Sequence, residues 1–434
     1  MLPIVVVGII FFGLMLGLII LGVPIVFSIG ISSLVTMVLS GIDLSVAVKA
    51  MVLPTRSFPM LGIFLFIFMG VVFEKTGLTR IIVDAIEPIL GRVKGGLAVV
   101  TIVGCALFGL LTGSPAATGA AFSRIMGPEM WRRGYPKGFT AAVITAASPL
   151  GAFIPPSIAA IVIAVATGTS VITMFAVAAA LGILVAFSLI VTSLIISYRK
   201  GYGGIERRYT LREIIWRILK AIPLLAVPLT VLGGIYFGVF SVTEAGALGA
   251  TGALIISALY RALSPKKVAE IIIESSKTTA VVLLLIGASF ILNYTWSLSG
   301  LNQALIGFFR SVSVSISPFA ALLILAGILA VLGMFFDVIV LSIAWGAVII
   351  SALSPYGINP YHINALFLYG VLLGTSSPPV GAGVFVVSHS LNIEIEKILK
   401  AIIPFLMIYL VIYVVIVLFP EVVLWLPKLL GLSV

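Results

Sequence analysis

Gly151-Ala152-Phe153-Ile154-Pro155-Pro156-Ser157 is one of two stretches in which a proline pair interrupts a long apolar run, here residues 138–167. The other is Gly374-Thr375-Ser376-Ser377-Pro378-Pro379-Val380, inside residues 361–390. A proline has no N–H to give to the carbonyl four residues earlier, so each pair is predicted to leave two carbonyls unpaired. These belong to Gly151, Ala152, Gly374 and Thr375. In hydrocarbon such a group costs several kcal/mol unless protein, water or an ion satisfies it, so two matching breaks predict a transport site.

The composition places the whole chain in a membrane. Of its 434 residues, 62% are hydrophobic and 9% are charged, against roughly 25% charged in a soluble domain. Apolar runs recur along the length, which predicts an all-α polytopic protein in the lipid bilayer with about 10–11 spanning helices. The formal net charge is +11, but the basic residues cluster in alternate connections between apolar runs. This positive-inside pattern is a topology signal, so we expect no nucleic-acid partner.

Two further apolar stretches are interrupted by turn-forming residues and are predicted to be re-entrant hairpins. The first, residues 98–130, is broken at 109–119 and has basic residues beyond both of its ends. If both ends are cytoplasmic, the segment must enter the membrane and return on the same side. The second, residues 318–353, is broken at 333–337, and its flanks are nearly free of Lys and Arg. We therefore expect the second hairpin to enter from outside.

The spacing between hairpin and break is nearly the same in both halves of the chain. Gly109 precedes Pro155 by 46 residues and Gly333 precedes Pro378 by 45, and each proline pair follows a glycine by four positions. With one hairpin opening inward and the other outward, this spacing predicts two repeats of inverted topology. In transporters built this way the binding site lies near the membrane midplane, where the repeats meet.

Oxygen donors gather at the predicted hairpin tips and breaks, where they can bind a hard cation. We expect one sodium site between Gly113-Ser114 and the break from Ser148 to Gly151. The second would lie between the tip from Gly333 to Asp337 and the segment that holds Gly374, Thr375 and Ser377. The pattern does not distinguish Na⁺ from H⁺, although a proton-coupled carrier usually shows more buried carboxylates or histidines.

Asp337 is the acidic residue that this scheme places deepest in the membrane. Intramembrane carboxylates are costly and usually functional, so we interpret it as a cation ligand or a cap of the hairpin tip, in preference to an exposed end residue. Candidate substrate contacts are Thr118, Arg124, Ser157 and Ser376. For Arg124 the alternative is a side chain that reaches back toward Arg132 at the membrane surface. Glu244 is predicted to cap a helix that starts at Thr243.

At these residues the chain resembles the large membrane subunit of tripartite ATP-independent periplasmic (TRAP) transporters, over nearly its whole length. In the first half the resemblance rests on Arg132-Arg133-Gly134-Tyr135, Phe139-Thr140-Ala141-Ala142, Ile154-Pro155-Pro156-Ser157-Ile158 and Thr167-Gly168-Thr169-Ser170. In the second half it rests on Gly233-Gly234-Ile235, Thr243-Glu244-Ala245, Gly333-Met334-Phe335-Phe336-Asp337 and Pro378-Pro379-Val380-Gly381. The order of all these motifs, rather than any one of them, makes the resemblance specific.

The resemblance implies a sodium-driven elevator in the inner membrane, with hairpins and broken helices moving as one transport domain against a scaffold. The scaffold would comprise residues 1–93, 171–315 and 393–434, and the transport domain residues 94–170 and 316–392. It also implies two partners, a small four-helix membrane subunit and a periplasmic binding protein that delivers an organic acid, such as a dicarboxylate or a sialic-acid-like carboxylate. Departures from the family's usual residues at 112–115, Ser377 and Trp345 leave the substrate class open.

Two other functions compete with this one. A stand-alone divalent-anion/sodium symporter shares the hairpins and broken helices but needs no delivery protein. An intramembrane enzyme would need paired acids, a His-Glu-x-x-His motif or a Ser/His pair, and none of these constellations is present in the sequence. A phosphate-binding Gly-x-x-x-x-Gly-Lys loop is also absent, which argues against ATP-driven pumping. We therefore expect a secondary transporter without enzymatic activity.

Overall fold

The computed structural model of the protein describes residues 4–203, 209–377 and 381–434, and these ranges are helical with no β-strand. The predicted all-α fold class is confirmed. The first half contains α1 (Ile4–Ile20), α2 (Ile25–Leu39), α3 (Ser45–Val52), α4 (Phe58–Thr76), α5 (Thr79–Leu90), α6 (Gly96–Thr112), α7 (Pro115–Arg132), α8 (Lys137–Ala147), α9 (Leu150–Phe153), α10 (Ile158–Thr167) and α11 (Val171–Lys200). The second half contains α12 (Leu211–Tyr236), α13 (Val242–Leu259), α14 (Pro265–Ser299), α15 (Leu301–Ser315), α16 (Pro318–Leu332), α17 (Val338–Leu353), α18 (Pro360–Thr375), α19 (Ala382–Leu391), α20 (Ile395–Leu418) and α21 (Glu421–Leu429). Two 3₁₀ turns cover Leu53–Arg56 and Ser354–Tyr356.

The number of membrane crossings depends on how the short helices are counted. Seven helical segments among the described residues are long and apolar enough to span alone: α4, α11, α12, α13, α14, α17 together with the 3₁₀ turn that follows it, and α20. Counting the bent pair formed by α8–α9 and α10 as one span gives up to eight. Five shorter apolar helices, α1, α2, α6, α16 and α19, pack among them, so the 10–11 crossings remain a prediction.

The first hairpin is the pair α6 and α7, and its tip falls inside the predicted 109–119 segment. Gly113 ends α6 in the left-handed conformation, at φ 59°, which a residue with a side chain rarely adopts. Ser114 then caps α7 by accepting a hydrogen bond from the Ala117 N–H at 3.3 Å, and Pro115 occupies the first helical position. This order of glycine, capping residue and proline ends one helix and starts the next.

The second hairpin is the pair α16 and α17, with its tip at residues 333–337 as predicted. Asp337 is the N-cap of α17, where its Oδ1 accepts a hydrogen bond from the Ile339 N–H at 2.8 Å. Both hairpin tips therefore end with a polar side chain that caps the returning helix.

The first broken helix bends by 49° between α8–α9 and α10. The Pro155-Pro156 pair lies at this bend, between α9 and α10, and Pro149 separates α8 from α9 earlier in the chain. Ser157 restarts the helix as the N-cap of α10, accepting from the Ala160 N–H at 3.2 Å. In the second half α18 ends at Thr375 and α19 begins at Ala382; the proline pair Pro378 and Pro379 lies between them, outside the described residues.

The two hairpins open at opposite ends of α11. The Ser170 N–H, which precedes α11, donates to Tyr361 Oη at 3.1 Å, and Tyr361 follows the end of the second hairpin. Beyond the other end of α11, the Gly203 carbonyl accepts from Tyr135 Oη at 2.6 Å, and Tyr135 follows the end of the first hairpin. Since 30 helical residues extend about 45 Å, the open ends are a membrane thickness apart, as inverted repeats require.

Each hairpin packs on its broken helix through a pair of glycines. A Cβ atom on Gly109 would lie 3.1 Å from Gly151 Cα, and a Cβ atom on Gly374 would lie 2.7 Å from Gly333 Cα. The backbones therefore touch in both halves, at positions that the repeat spacing makes equivalent. Small residues allow this close approach of helices in a membrane.

Helices α11 and α20 pack against the hairpins and the broken helices. Buried tyrosines fix part of this contact, because Tyr409 Oη donates to the Ala146 carbonyl at 2.7 Å and Tyr369 Oη donates to the Tyr409 carbonyl at 2.9 Å. The boundaries 171–315 and 393–434, which assign both helices to the scaffold, remain a prediction.

Replacing Tyr409 with phenylalanine is expected to lower the free energy of unfolding by about 1–3 kcal/mol, because the buried Ala146 carbonyl loses its hydroxyl donor. The matched control is Tyr260→Phe, which removes a hydroxyl that donates to the Lys220 carbonyl at an accessible position and should change stability far less. Thermal unfolding in detergent measures both. Equal effects of the two substitutions would contradict the buried role of Tyr409.

Three helical segments differ from the sequence-based prediction. Helix α14 extends from Pro265 to Ser299, well beyond the apolar run at residues 280–295, because its first turns are polar. Helices α15 and α21 were not predicted as separate elements. Both are short and amphipathic, and neither has the length that identifies a spanning helix.

Candidate functional site

A cavity of about 210 Å³ lies where the two hairpin tips meet the two broken helices. The described residues that line it are Gly113, Ser114, Pro115, Ala116, Ser148, Ala152, Ile158, Ala159, Val282, Asp337, Val338, Ile339, Leu372, Thr375, Ala382, Gly383 and Val386. Five of the predicted sodium-site residues are among them: Gly113, Ser114, Ser148, Asp337 and Thr375. Members of both predicted sites therefore face one shared space.

Four helices begin at this cavity. The first two residues of α7, of α10, of α17 and of α19 all line it. The N-terminus of a helix presents N–H groups without intrahelical partners and a partial positive charge of about half an elementary charge. Four such ends converge here with no basic side chain among the described lining residues, an arrangement that favours an anionic group.

Ser148 presents its hydroxyl oxygen to the cavity because of a proline that follows it. Pro149 has no N–H for the Thr145 carbonyl four residues earlier, and Ser148 Oγ donates to that carbonyl instead, at 2.9 Å. With its hydrogen used in this way, Oγ keeps its lone pairs for a cation. A Cβ atom on Gly383 would lie 3.6 Å from Ser148 Oγ and 3.1 Å from the Thr375 carbonyl oxygen, so the two breaks approach each other here.

Asp337 carries the one charged side chain among the described residues that line the cavity. Its side chain is accessible from this space, and Oδ1 is held by the Ile339 N–H. Within the described part of the chain, no Lys, Arg or His nitrogen lies within 4.0 Å of the carboxylate. The cap interpretation of Asp337 is confirmed, and its second oxygen is available as a ligand.

The prediction of unpaired carbonyls has a different outcome at each of the two breaks. Among the described residues, no N–H or O–H group donates to the Gly151 or Ala152 carbonyl, and Ala152 lines the cavity. The prediction for Gly374 is wrong, because the Ser377 N–H turns back and donates to its carbonyl at 3.0 Å. A proline removes one donor, but the tight turn that precedes it can supply another.

The remaining predicted site residues lie around the cavity without lining it. Gly151, Gly333 and Gly374 form the glycine contacts between hairpins and broken helices. Three hydroxyls serve the local backbone: Thr118 donates to the Ser114 carbonyl, Ser377 donates to the Leu373 carbonyl and Ser157 caps α10. Ser376 is fully buried, and its hydroxyl has no partner within the described ranges.

Arg124 lies away from the cavity. Its Nη2 is 3.2 Å from Glu74 Oε1 on α4, and its contact with the substrate remains a prediction. Glu244 accepts hydrogen bonds from Ser241 and completes a capping box for α13, as predicted, with the helix beginning one residue earlier than expected.

Sequence reasoning missed the apolar part of the lining. Val282 lies in the middle of α14, an ordinary apolar span, and no local signal distinguishes it from its neighbours. The positions of Ala116 and Ala382 could have been predicted from the sequence. Each is the first or second residue of a helix that starts at a predicted hairpin tip or break. The role of Ser148 also had a signal, because counting four residues back from Pro149 identifies the Thr145 carbonyl.

Comparison with known proteins gives consistent matches across the chain. Residues 12–422 match the family model described as "Tripartite ATP-independent periplasmic transporter, DctM component". The C4-dicarboxylate TRAP transporter large permease protein DctM of Pseudomonas aeruginosa is 31% identical, with 94% of this chain and 95% of that protein covered. The sialic acid TRAP transporter large permease protein SiaM of Vibrio cholerae is 27% identical, with 95% and 97% covered.

Two other matches differ in length or in sequence. The isethionate TRAP transporter permease protein DctMQ of Oleidesulfovibrio alaskensis is 30% identical over 93% of this chain, which spans 64% of that protein. Among solved structures, the YdaH transporter of Alcanivorax borkumensis superposes with a TM-score of 0.63, at 14% identity, over 86% of this chain and 88% of that one; at this identity the likeness concerns the fold. Because the family model covers almost the entire chain, the protein belongs to the DctM family of large membrane components of tripartite ATP-independent periplasmic transporters.

Proposed function

We propose that the protein couples the entry of sodium to the uptake of a small organic anion across the inner membrane. The observation that carries this proposal is the cavity in which four helix N-termini meet a carboxylate and several oxygen donors. Helix N-termini favour an anion, while carboxylate, hydroxyl and carbonyl oxygens favour a hard cation. A site that offers both in one space can bind the two ions together and so link their movement.

Sodium would be held by the Asp337 carboxylate and by the hydroxyls of Ser114, Ser148 and Thr375. The hydrogens of Ser148 and Thr375 are already donated to backbone carbonyls, which leaves lone pairs facing the cavity. Within the described residues no three His, Cys, Asp or Glu side chains group together, so the donor set suits an alkali cation better than a transition metal.

The carrier would work as an elevator with a delivery protein. The opposed hairpins and the broken helices surround the cavity and, with α11 and α20 packed on them, would move as one unit against α4, α13 and α14. Partners would be a small membrane subunit and a periplasmic binding protein, in keeping with the tripartite family. The name and greater length of the DctMQ relative support a second membrane component.

The competing function is a stand-alone divalent-anion/sodium symporter, which the shared hairpin fold permits. The experiment that separates the two functions is sodium-driven uptake of a small organic acid into vesicles, with and without the proposed periplasmic binding protein. We expect uptake only when the binding protein is added. Equal uptake without it would contradict the tripartite function and favour the stand-alone symporter.

Replacing Ser114 with alanine is expected to raise the sodium concentration needed for half-maximal uptake several-fold, because one cavity hydroxyl is lost. The substitution also removes a helix cap, worth about 0.5–2 kcal/mol. Ser317→Ala is the matched control, since Ser317 caps α16 before a proline in the same way but does not line the cavity. If both variants show the same sodium curve, Ser114 acts only as a cap.

A further inference from the structure

The residues that line the cavity indicate the polarity of the uncharged part of the substrate, here called its body, as well as the sign of its charge. Among the 17 described lining residues, polar side chains come only from Ser114, Ser148, Asp337 and Thr375. None of the 17 is Lys, Arg, His, Asn or Gln. The others are glycines or apolar residues, and they include Ile158, Ala159, Val282, Val338, Ile339, Leu372 and Val386.

The few polar side chains are already committed. Asp337 Oδ1 accepts from the Ile339 N–H, Ser148 donates to the Thr145 carbonyl and Thr375 donates to the Leu372 carbonyl. Ser114 accepts from the Ala117 N–H. The groups that remain are the second Asp337 oxygen, the Ser114 O–H, the Ala152 carbonyl and the N–H groups at the helix starts. The proposed function gives these groups to sodium and to the substrate carboxylate. A further substrate hydroxyl that is buried without a partner reduces affinity by about tenfold or more.

The cavity is also small. Its volume of about 210 Å³ is below the roughly 300–1,000 Å³ of most ligand pockets. A short carbon chain therefore suits this space better than a nine-carbon sugar acid.

Building on the proposed function, we infer that the substrate is a short carboxylic acid with an apolar body, and not a polyhydroxylated sugar acid. Its carboxylate faces the helix N-termini at the tips and breaks, together with the bound sodium. Its hydrocarbon body contacts the methyl groups of residues such as Ile158, Val338 and Val386. Selectivity against hydroxylated acids then comes from the scarcity of partners for their hydroxyl groups among the described lining residues.

The test uses a cysteine reporter in vesicles that hold the full chain with its membrane partner. The natural chain has one cysteine, Cys105, which is fully buried and provides an unlabelled background. Ala116→Cys places a thiol on an accessible lining position, and Ala382→Cys is a second reporter in the other half in case the first variant does not fold. The measurement is the rate of N-ethylmaleimide labelling with increasing butyrate or threonate, in sodium or in potassium. These two acids have the same carbon number and charge and differ only in hydroxyl groups.

We expect butyrate in sodium to slow labelling at a concentration at least about tenfold lower than threonate. Val338→Thr is an isosteric change that adds a hydroxyl to the lining. It should reduce the ratio of the threonate and butyrate concentrations that slow labelling several-fold. Protection by threonate at an equal or lower concentration overturns the inference on the substrate body and leaves the proposed function standing. If neither acid slows labelling in sodium at any concentration, both the inference and the proposed site are overturned.

Discussion

Sodium-dependent uptake is expected to fall at least about tenfold in both Asp337→Asn and Asp337→Ala. The carboxylate is the one charged group on the described lining of the cavity, and interactions with a charged group contribute about 1.5–3 kcal/mol, or more than tenfold in an equilibrium constant. Both variants lose the charge, but only one of them keeps the cap of α17. Asparagine still offers an oxygen to the Ile339 N–H and caps α17 about as well as aspartate, whereas alanine loses the cap as well as the charge.

This pair separates the cation role of Asp337 from its structural role. The Asn variant should keep the thermal stability of the natural protein, and the Ala variant should lose about 0.5–2 kcal/mol of folding free energy. Uptake measured against sodium concentration, with unfolding in detergent as the control, gives both quantities. If uptake by Asp337→Asn depends on sodium concentration as it does in the natural protein, Asp337 acts only as a helix cap.

Replacing Gly333 with alanine is expected to abolish uptake and to lower the free energy of unfolding by about 1–3 kcal/mol or more. The new Cβ atom would lie 2.6 Å from both Val371 Cα and the Val371 carbonyl oxygen, and backbone cannot move aside as the end of a flexible side chain can. The hairpin would therefore separate from the broken helix and displace Asp337, which lies four residues further along the chain.

The control for Gly333 is a glycine in the same helix. Gly327 has no atom within 4 Å of the position that its Cβ would occupy, so Gly327→Ala should leave uptake intact and stabilise the helix by up to about 1 kcal/mol. Comparing the two variants separates the effect of close packing from the general effects of helix propensity and of protein yield. Similar uptake in the two variants would show that close packing of hairpin and broken helix is not needed for transport.

Local backbone signals made much of this fold predictable. Glycine and proline act on the chain within a few residues of themselves, so both hairpin tips and both breaks fall where the sequence indicates. The equal spacing of these signals also predicted the inverted arrangement, which the opposed hairpins at the two ends of α11 support. Helices α15 and α21 escaped prediction because short amphipathic segments lack the long apolar run that identifies a span.

The site was predictable only in part, because a cavity depends on tertiary packing. The sequence identified oxygen donors at the tips and breaks, and the structure brings five of them into one space. It did not identify Val282, which comes from a distant helix, and it assigned an unpaired carbonyl to Gly374 where the turn at Ser377 supplies a donor. The ion pair of Arg124 with Glu74 on α4 likewise depends on tertiary packing and cannot be read from the segment around Arg124.

The most direct test of sodium-coupled transport at this cavity is uptake into proteoliposomes that contain the complete membrane complex and its binding protein. An inward sodium gradient is compared with an inward proton gradient of the same size. We predict accumulation with the sodium gradient, none with the proton gradient alone, and loss of the sodium effect in Asp337→Asn. Accumulation driven by protons without sodium, and unchanged in Asp337→Asn, would contradict the proposed coupling.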